Sequence, residues 1–299
     1  MIYTLTLNPS LDYFLNVEKF REGIINRAGD DRIVPGGKGI NVSAVLKNLG
    51  KESVSLGYIA GDTGKIFENM VVSTGLKSDF IRLPEGNTRI NVKIKSEKET
   101  DINAQGPYIS ENAKEKLFGI FDRLKDGDWL VLSGSLPRGC KDNFYAEILE
   151  RISSKDIKAV VDTCGTSLMN TLSYKPFLIK PNNFELEELF GVEIKDYDSY
   201  VMYSGKLKDM GAKNVLVSLG KDGALLLSES GDVIHREAPK GKVIDTNGAG
   251  DSMVAGFISC YEDTGDYKKA LHMGICAGSA TAFSKKLATY DEIMNLYER

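Results

Sequence analysis

Gly248-Ala249-Gly250 is followed at once by a carboxylate, Asp251, and then by an apolar run over residues 253–258. That order predicts a tight turn feeding straight into a helix. The amides of Gly248, Ala249 and Gly250 would converge on one spot with the positive end of the helix behind them, and such a place stabilises an anion. Asp251 falls in the first turn beside it. An anion seat next to a carboxylate base is what phosphoryl transfer to a hydroxyl needs. The plainer alternative is a tight loop with Asp251 as an ordinary first-turn acid.

Other stretches offer groups suited to the same chemistry. Pro35-Gly36-Gly37-Lys38-Gly39-Ile40-Asn41-Val42 enters a second helix-like run. Its glycines let backbone approach a ligand closely. Asn41 offers a donor and an acceptor to sugar hydroxyls, and Lys38 offers a point charge. The residue order is not that of a Walker A loop, and no strand precedes it closely enough for a dinucleotide fingerprint. A structural turn remains open there. Asn8-Pro9-Ser10-Leu11-Asp12 puts a carboxylate just past a strand, to grip hydroxyls or merely to be solvated. Arg89 and Asn91 share one face of an alternating run, and a guanidinium fork matches two phosphate oxygens. Surface arginines in strands are commonplace, and Arg27 is no more distinctive.

Asn182 and Glu185 stand three apart at a helix start, so both side chains can face one side. They could order waters around Mg²⁺, which needs few protein oxygens. The same pair also spells a capping box. Ser218-Leu219-Gly220-Lys221-Asp222-Gly223 reads as a turn between two strands, either a plain hairpin or backbone room for nucleotide phosphates or ribose. Ala277-Gly278-Ser279-Ala280 would make a flat slot for a base or a close helix contact.

Elimination narrows the chemistry further. The two histidines, His235 and His272, lie in no metal-ligand pattern, which argues against a His-assisted nucleophile and a His-rich metal site. Acid–base work falls to carboxylates. Cys140, Cys164, Cys260 and Cys276 fit neither a zinc site nor a disulfide framework, and buried thiols in a reducing cytoplasm are expected. With a net charge of −4 there is no broad basic surface for nucleic acid or acidic lipid. No apolar run reaches membrane-span length, and the first seven residues read as a strand rather than a signal peptide.

The elements that must position these groups alternate along the 299 residues, 42% of which are apolar. Strand-like runs fall at residues 2–7, 53–58, 129–132, 158–161, 177–179 and 214–218. Helix-like runs fall at 41–49, 64–73, 110–124, 142–152, 183–190, 200–210, 252–261, 267–283 and 290–297. Alternation of this kind predicts an α/β fold with a mostly parallel sheet flanked by helices. Short alternating strands at 12–17 with 30–34, and 88–95 with 99–103, would form a small antiparallel sheet or edge hairpins. The polar motifs cluster where strands end, which in parallel sheets is the ligand-binding edge.

Taken together, these motifs resemble the ribokinase-like family of ATP-dependent sugar kinases. Residues 36–41 are similar to the family's N-terminal glycine signature, residues 245–251 to its C-terminal signature, and Asn182 with Glu185 to its magnesium-linked motif. The resemblance runs nearly end to end. Residues 4–13, 88–95 and 132–137, with Lys38, place the chain near the members that act on phosphorylated ketohexoses.

The resemblance implies one kinase domain over 1–299, with a small β-sheet lid from about 12–34 and 88–103. It implies transfer from ATP, with Mg²⁺, to O6 of D-fructose 1-phosphate; tagatose 6-phosphate is the rival acceptor and a non-catalytic sugar-phosphate sensor a more remote one. Asp251 would be the base, and Gly248, Ala249 and Gly250 would hold the transferring group. Asp12, Gly36, Gly37 and Asn41 would bind the ketose. Lys38 and Arg89 would bind its phosphate, joined by Arg27, Ser135 and Arg138. Lys180, Asn182, Ser218, Gly220 and Gly223 would line the ATP site, and Glu185 and Asn182 would position Mg²⁺ through water. A homodimer clasped through the lid is implied as well. Arg138 stands where the family usually has Pro, and Ile25 where some members carry a lid cation.

Overall fold

The computed structural model describes residues 1–298. Among them, β1 (Ile2–Thr6), β4 (Ser53–Ala60), β5 (Lys77–Leu83), β8 (Trp129–Ser133), β9 (Lys158–Asp162), β10 (Leu178–Ile179) and β11 (Asn214–Ser218) pair in parallel. Two antiparallel strands, β12 (Ala224–Leu227) and β13 (Val233–Arg236), extend one edge. The order is β13-β12-β11-β10-β9-β8-β1-β4-β5, so the chain leaves β1 in one direction and later returns to its other side. The crevice at such a reversal, beyond the carboxyl ends of the strands, is where open α/β sheets take ligands.

Alternation in the strands is what builds the layers. In β8, Trp129 and Val131 enter one apolar cluster while Leu130 and Leu132 enter the other. Helices α3 (Glu111–Phe121), α4 (Phe144–Arg151), α5 (Gly165–Met169), α6 (Asn183–Phe190) and α7 (Tyr197–Asp209) cover the face of Leu130 and Leu132. Helices α1 (Lys38–Asn48), α8 (Ala249–Thr264), α9 (Tyr267–Ala282) and α10 (Tyr290–Tyr297) cover the face of Trp129 and Val131. Helix α2 (Gly61–Ser73) packs Phe67 and Val71 beside Phe80 of β5.

The run Ala277–Ala280 packs α9 closely against α8. A Cβ on Gly278 would meet the Ala249 carbonyl at 3.0 Å, and one on Gly256 would meet the Met273 carbonyl at 2.6 Å. The four cysteines are free, but Cys164 is exposed at the start of α5, so not all of the thiols are buried as expected.

A second sheet of four strands has the order β3-β2-β6-β7, from β3 (Asp30–Gly36), β2 (Ser10–Asn16), β6 (Arg89–Lys95) and β7 (Thr100–Ile102). Its two hairpins are antiparallel, while β2 and β6 pair in parallel. The sheet is therefore mixed where a uniformly antiparallel one was expected. Strands β2 and β6 both leave the ligand edge of the main sheet in the same direction, after β1 and beside β4, and this sets their sense. Strand β5 was missed because its exposed positions are polar and mask the period, and β13 because it is short and none of its residues is buried. Helix α1 starts at Lys38, earlier than its apolar period indicates, which brings Lys38 and Asn41 into its first turn.

Candidate active site

The turn before α8 is built so that only glycine suits its entry. Gly248 has φ +78°, and a Cβ there would meet Leu287 Cδ2 at 2.7 Å. Its carbonyl accepts from Ser252 N at 2.9 Å and from Ser252 Oγ at 2.8 Å, and Thr281 Oγ1 lies 2.8 Å from that hydroxyl. Ser252 and Thr281 thus fix the turn from below. Sequence reading missed both, because a serine and a threonine inside helices look unremarkable until α8 and α9 are packed. The Ala249 amide donates to the Thr246 carbonyl at 3.2 Å. Of the amide trio expected to hold an anion, Gly248 and Gly250 therefore keep their N–H groups free of backbone acceptors among the described residues.

Asp251 sits in the first turn of α8 and is 6% exposed. Asn41 Nδ2 donates to its Oδ2 at 2.8 Å. The amide expected to serve sugar hydroxyls is thus given first to the carboxylate. Across from it lies a second buried carboxylate, Asp162, at the end of β9. Its Oδ1 is 3.1 Å from Lys38 Nζ and 3.3 Å from Lys180 Nζ. Lys180 also stands against the turn, since its Nζ is 3.2 Å from where a Cβ on Gly250 would lie. Asp162 directly follows the strand-like run at 158–161, but the sequence alone gives it no role.

Charge and burial divide these groups. Burial pushes the Asp251 carboxyl up to about 6; the Asp162 charge adds to the rise, and Lys38, the Asn41 hydrogen bond and Lys180 oppose it. Burial acts the same way on Asp162, but Lys180 and Lys38 outweigh it and hold that carboxyl below the usual range. For Lys38, burial favours the neutral amine, yet Asp162, Asp251 and Glu185 overcome it and keep the ammonium charged. Lys38 is therefore held in the carboxylate cluster.

Asp12, Asn91 and Ser10 form a second group on the small sheet. Ser10 Oγ donates to Asp12 Oδ1 at 2.7 Å and Asn91 Nδ2 donates to the same oxygen at 2.9 Å. Gly36 is required beside them, since a Cβ there would lie 2.4 Å from Asp12 Oδ2. Gly37 has φ +134°, and its Cβ would meet Thr6 at 2.6 Å. Arg89 donates through Nε to the Asn8 carbonyl at 3.1 Å and through Nη1 to the Ala104 carbonyl at 3.3 Å. Arg138 donates to the Gly106 carbonyl at 3.1 Å. Ser135 and Arg27 are exposed, and neither makes a side-chain hydrogen bond or ion pair among the described residues.

On the remaining side, Asn182 caps α6. Its Oδ1 accepts from Glu185 N and Glu185 Oε2 accepts from Asn182 N, both at 2.8 Å. The capping reading is realised, and it occupies the oxygen that Asn182 would have turned toward a metal. Ser218 bridges to Asn182 in parallel, so the two residues expected at the ATP site are neighbours. Gly220 and Gly223 take φ +60° and +89° in the turn from β11 to β12. The hairpin reading thus holds as well.

A sheet of this order with a small second sheet over its ligand edge, two buried carboxylates and two lysines beside a glycine turn defines a ribokinase-like kinase fold. The model of the pfkB family of carbohydrate kinases matches residues 6–293, and the chain belongs to that family. It is 42% identical to the 1-phosphofructokinase of Bacillus subtilis (strain 168), over 99% of this chain and 97% of that protein. It is 38% identical to the D-tagatose-1-phosphate kinase of Bacillus licheniformis, over 98% and 96%. Its structure superposes on phosphofructokinase-2 from Escherichia coli in complex with fructose-6-phosphate with a TM-score of 0.93, at 28% identity over 99% and 98% of the chains.

The raised carboxyl of Asp251 gives a pH signature. If it acts as a base it must be ionised, so kcat/KM for sugar phosphorylation should fall with unit slope as pH drops below about 6. Asn41→Ala removes a hydrogen bond that favours the carboxylate, so the acid limb should move to higher pH. A limb that stays in place in the variant would show that another group titrates.

Proposed function

We propose that this chain transfers a phosphoryl group from ATP to O6 of D-fructose 1-phosphate, giving D-fructose 1,6-bisphosphate. The observation that carries this reading is Asp251, buried beside the free amides of Gly248 and Gly250 with Lys180 at the same turn. As the bond from O6 to phosphorus forms, Asp251 takes the hydroxyl proton and the bond to ADP breaks, leaving its electron pair on the departing oxygen. Catalysis of this kind rests on positioning and charge stabilisation. The Gly248 and Gly250 amides, Lys180 and Lys38 meet the charge on the transferring group, and Asn41 aims the base. Asp12, held by Ser10 and Asn91, takes sugar hydroxyls with its second oxygen. Arg89 and Arg138 take the phosphate at the far end, with Ser135 near them. Asn182, Ser218, Gly220 and Gly223 border the nucleotide.

Mg²⁺ fits the carboxylates on this side. Asp162 Oδ2 is buried without a hydrogen-bond partner, and Glu185 has an oxygen outside its cap. Hard oxygens of this kind suit Mg²⁺, which keeps most of its waters. Glu185 and Asp162 would hold the ion; when bound it offsets the charge of the ATP phosphates.

The names of the two curated relatives above both carry a 1-phosphate, which supports anchoring at C1 and transfer at O6 and leaves tagatose 6-phosphate without support. The second name makes D-tagatose 1-phosphate the competing acceptor. It differs at one ring hydroxyl, and a site that bonds specific hydroxyls rejects a mismatched one. kcat/KM for D-fructose 1-phosphate should exceed that for D-tagatose 1-phosphate and for either 6-phosphate by at least about tenfold. Asp251→Asn should lower turnover by roughly 10²–10⁴-fold while ATP still binds. Initial rates at saturating ATP-Mg²⁺ check both. A faster rate with tagatose 1-phosphate would change the substrate and leave the base in place; near-normal turnover in the variant would remove the base.

The small sheet would act as a lid and as the contact of a homodimer. Tyr13, Ile33 and Ile102 share the face opposite Asp12 and Asn91, and Ile33 and Ile102 are 45% and 56% exposed. Exposed apolar faces of this kind favour association. Ile33→Lys should convert a dimer to a monomer in sedimentation velocity; an unchanged mass would place the contact elsewhere.

A further inference from the structure

Residues 103–110 lead from β7 of the small sheet back to α3. Three successive carbonyls of this segment are held by three side chains from separate parts of the chain. Arg89 Nη1 donates to the Ala104 carbonyl at 3.3 Å, Asn8 Nδ2 to that of Gln105 at 3.1 Å, and Arg138 Nη2 to that of Gly106 at 3.1 Å. Two further bonds tie the ends together. Arg89 Nε donates to the Asn8 carbonyl at 3.1 Å, and Ile109 N donates to the Arg138 carbonyl at 2.8 Å. Pro107 and Ile109 anchor the far end of the segment by burial, but Ala104 and Gln105 are exposed, so residues 104–106 are held by hydrogen bonds.

Asn8 stands at the centre of this arrangement. It is 6% exposed, its Oδ1 has no hydrogen-bond partner, and its Nδ2 reaches the middle carbonyl of the three. Burying an amide oxygen unpaired is costly, so the residue is not explained by packing. Gly106 presses against it at φ +80°, and a Cβ there would lie 2.3 Å from Asn8 Oδ1. Only glycine lets the strap pass so close.

We propose that Asn8 is a positioning residue for recognition of the sugar phosphate. It fixes residues 104–106 as a strap that holds Arg89 and Arg138 at a set spacing, and this rests on the reading that those arginines take the phosphate. A guanidinium has five N–H donors. Arg89 commits two groups and Arg138 one to fixed carbonyls, and the rest of each fork is left for phosphate oxygens. Side chains already held in one rotamer lose little freedom when the ligand arrives.

The test compares D-fructose 1-phosphate with unphosphorylated D-fructose in the wild-type enzyme, Asn8→Ala, Gly106→Ala, Arg89→Ala and the Asn8→Ala/Arg89→Ala pair. Asn8→Ala and Gly106→Ala should each raise KM for the phosphosugar by about tenfold, with kcat and KM for ATP little changed. Their kcat/KM for fructose should stay at the wild-type level. The double variant should lose less than the two single changes combined, because Asn8→Ala acts in part through the Arg89 guanidinium. Equal loss toward both sugars, accompanied by a lower melting midpoint, would mean a merely structural role and overturn the proposal. So would an unchanged KM for the phosphosugar in both strap variants while Arg89→Ala lowers the preference for it. If Arg89→Ala leaves that preference intact, the phosphate assignment itself is wrong and the strap proposal falls with it. Should Asn8→Ala not fold, Gly106→Ala, on the less buried side of the contact, decides the matter.

Discussion

The site depends on a buried carboxylate shared by two ammonium groups. Asp162 is 1% exposed and both lysines reach the same oxygen. Isolated, such a charge would be expelled or neutralised, and breaking a buried pair by removing one partner commonly costs about 3–5 kcal/mol. Here the cost of burial is met by Lys38 from the start of α1 and Lys180 from the end of β10. The cluster therefore ties both sides of the strand-order reversal to one point. Its consequence for the neighbouring Asp251 is direct: the Asp162 charge adds to burial in pushing that carboxyl up, while the lysines keep it from rising further.

Close backbone approach is the second constraint, and it follows from the first. Lys38 can reach Asp162 only if α1 begins hard against the end of β1. Gly37 and Gly39 allow this, since a Cβ on either would lie under 3 Å from Thr6. On the opposite side Gly248 turns the chain into α8, and the small residues of α8 and α9 let those helices pack tightly enough for Thr281 to reach Ser252. The glycines of both motifs thus serve packing and the site together. Neither reading excludes the other.

The small sheet adds a surface with two faces of different character. One presents Asp12 with Asn91, the other exposes isoleucines. Lys95 of β6 pairs with Asp245 at 2.7 Å, so the sheet is also connected to the segment leading to the Gly248 turn. Asp245 accepts from Asn247 N at 3.0 Å in the same segment. The two halves of the site are thereby joined at the turn as well as through β2 and β6.

Much of this was legible in the chain. The alternation of strand and helix periods determined a parallel sheet covered on both faces, because apolar positions at those spacings can be buried in no other layered way. The sequence Gly248-Ala249-Gly250-Asp251 located a carboxylate at the start of a helix, since small residues and helix-start chemistry are local properties. Asn182 and Glu185 likewise announced their capping box, because a cap is made within three residues. Partnerships across the fold were not legible. That Lys38 would join Asp162 and Lys180 depends on where α1 meets β9, and no spacing in the sequence encodes it. The same holds for Asn41 on Asp251, 210 residues apart, and for Arg89, Asn8 and Arg138 meeting on one strap. Local conformation follows from local residue types; which charges share a buried volume is decided only when distant strand ends converge.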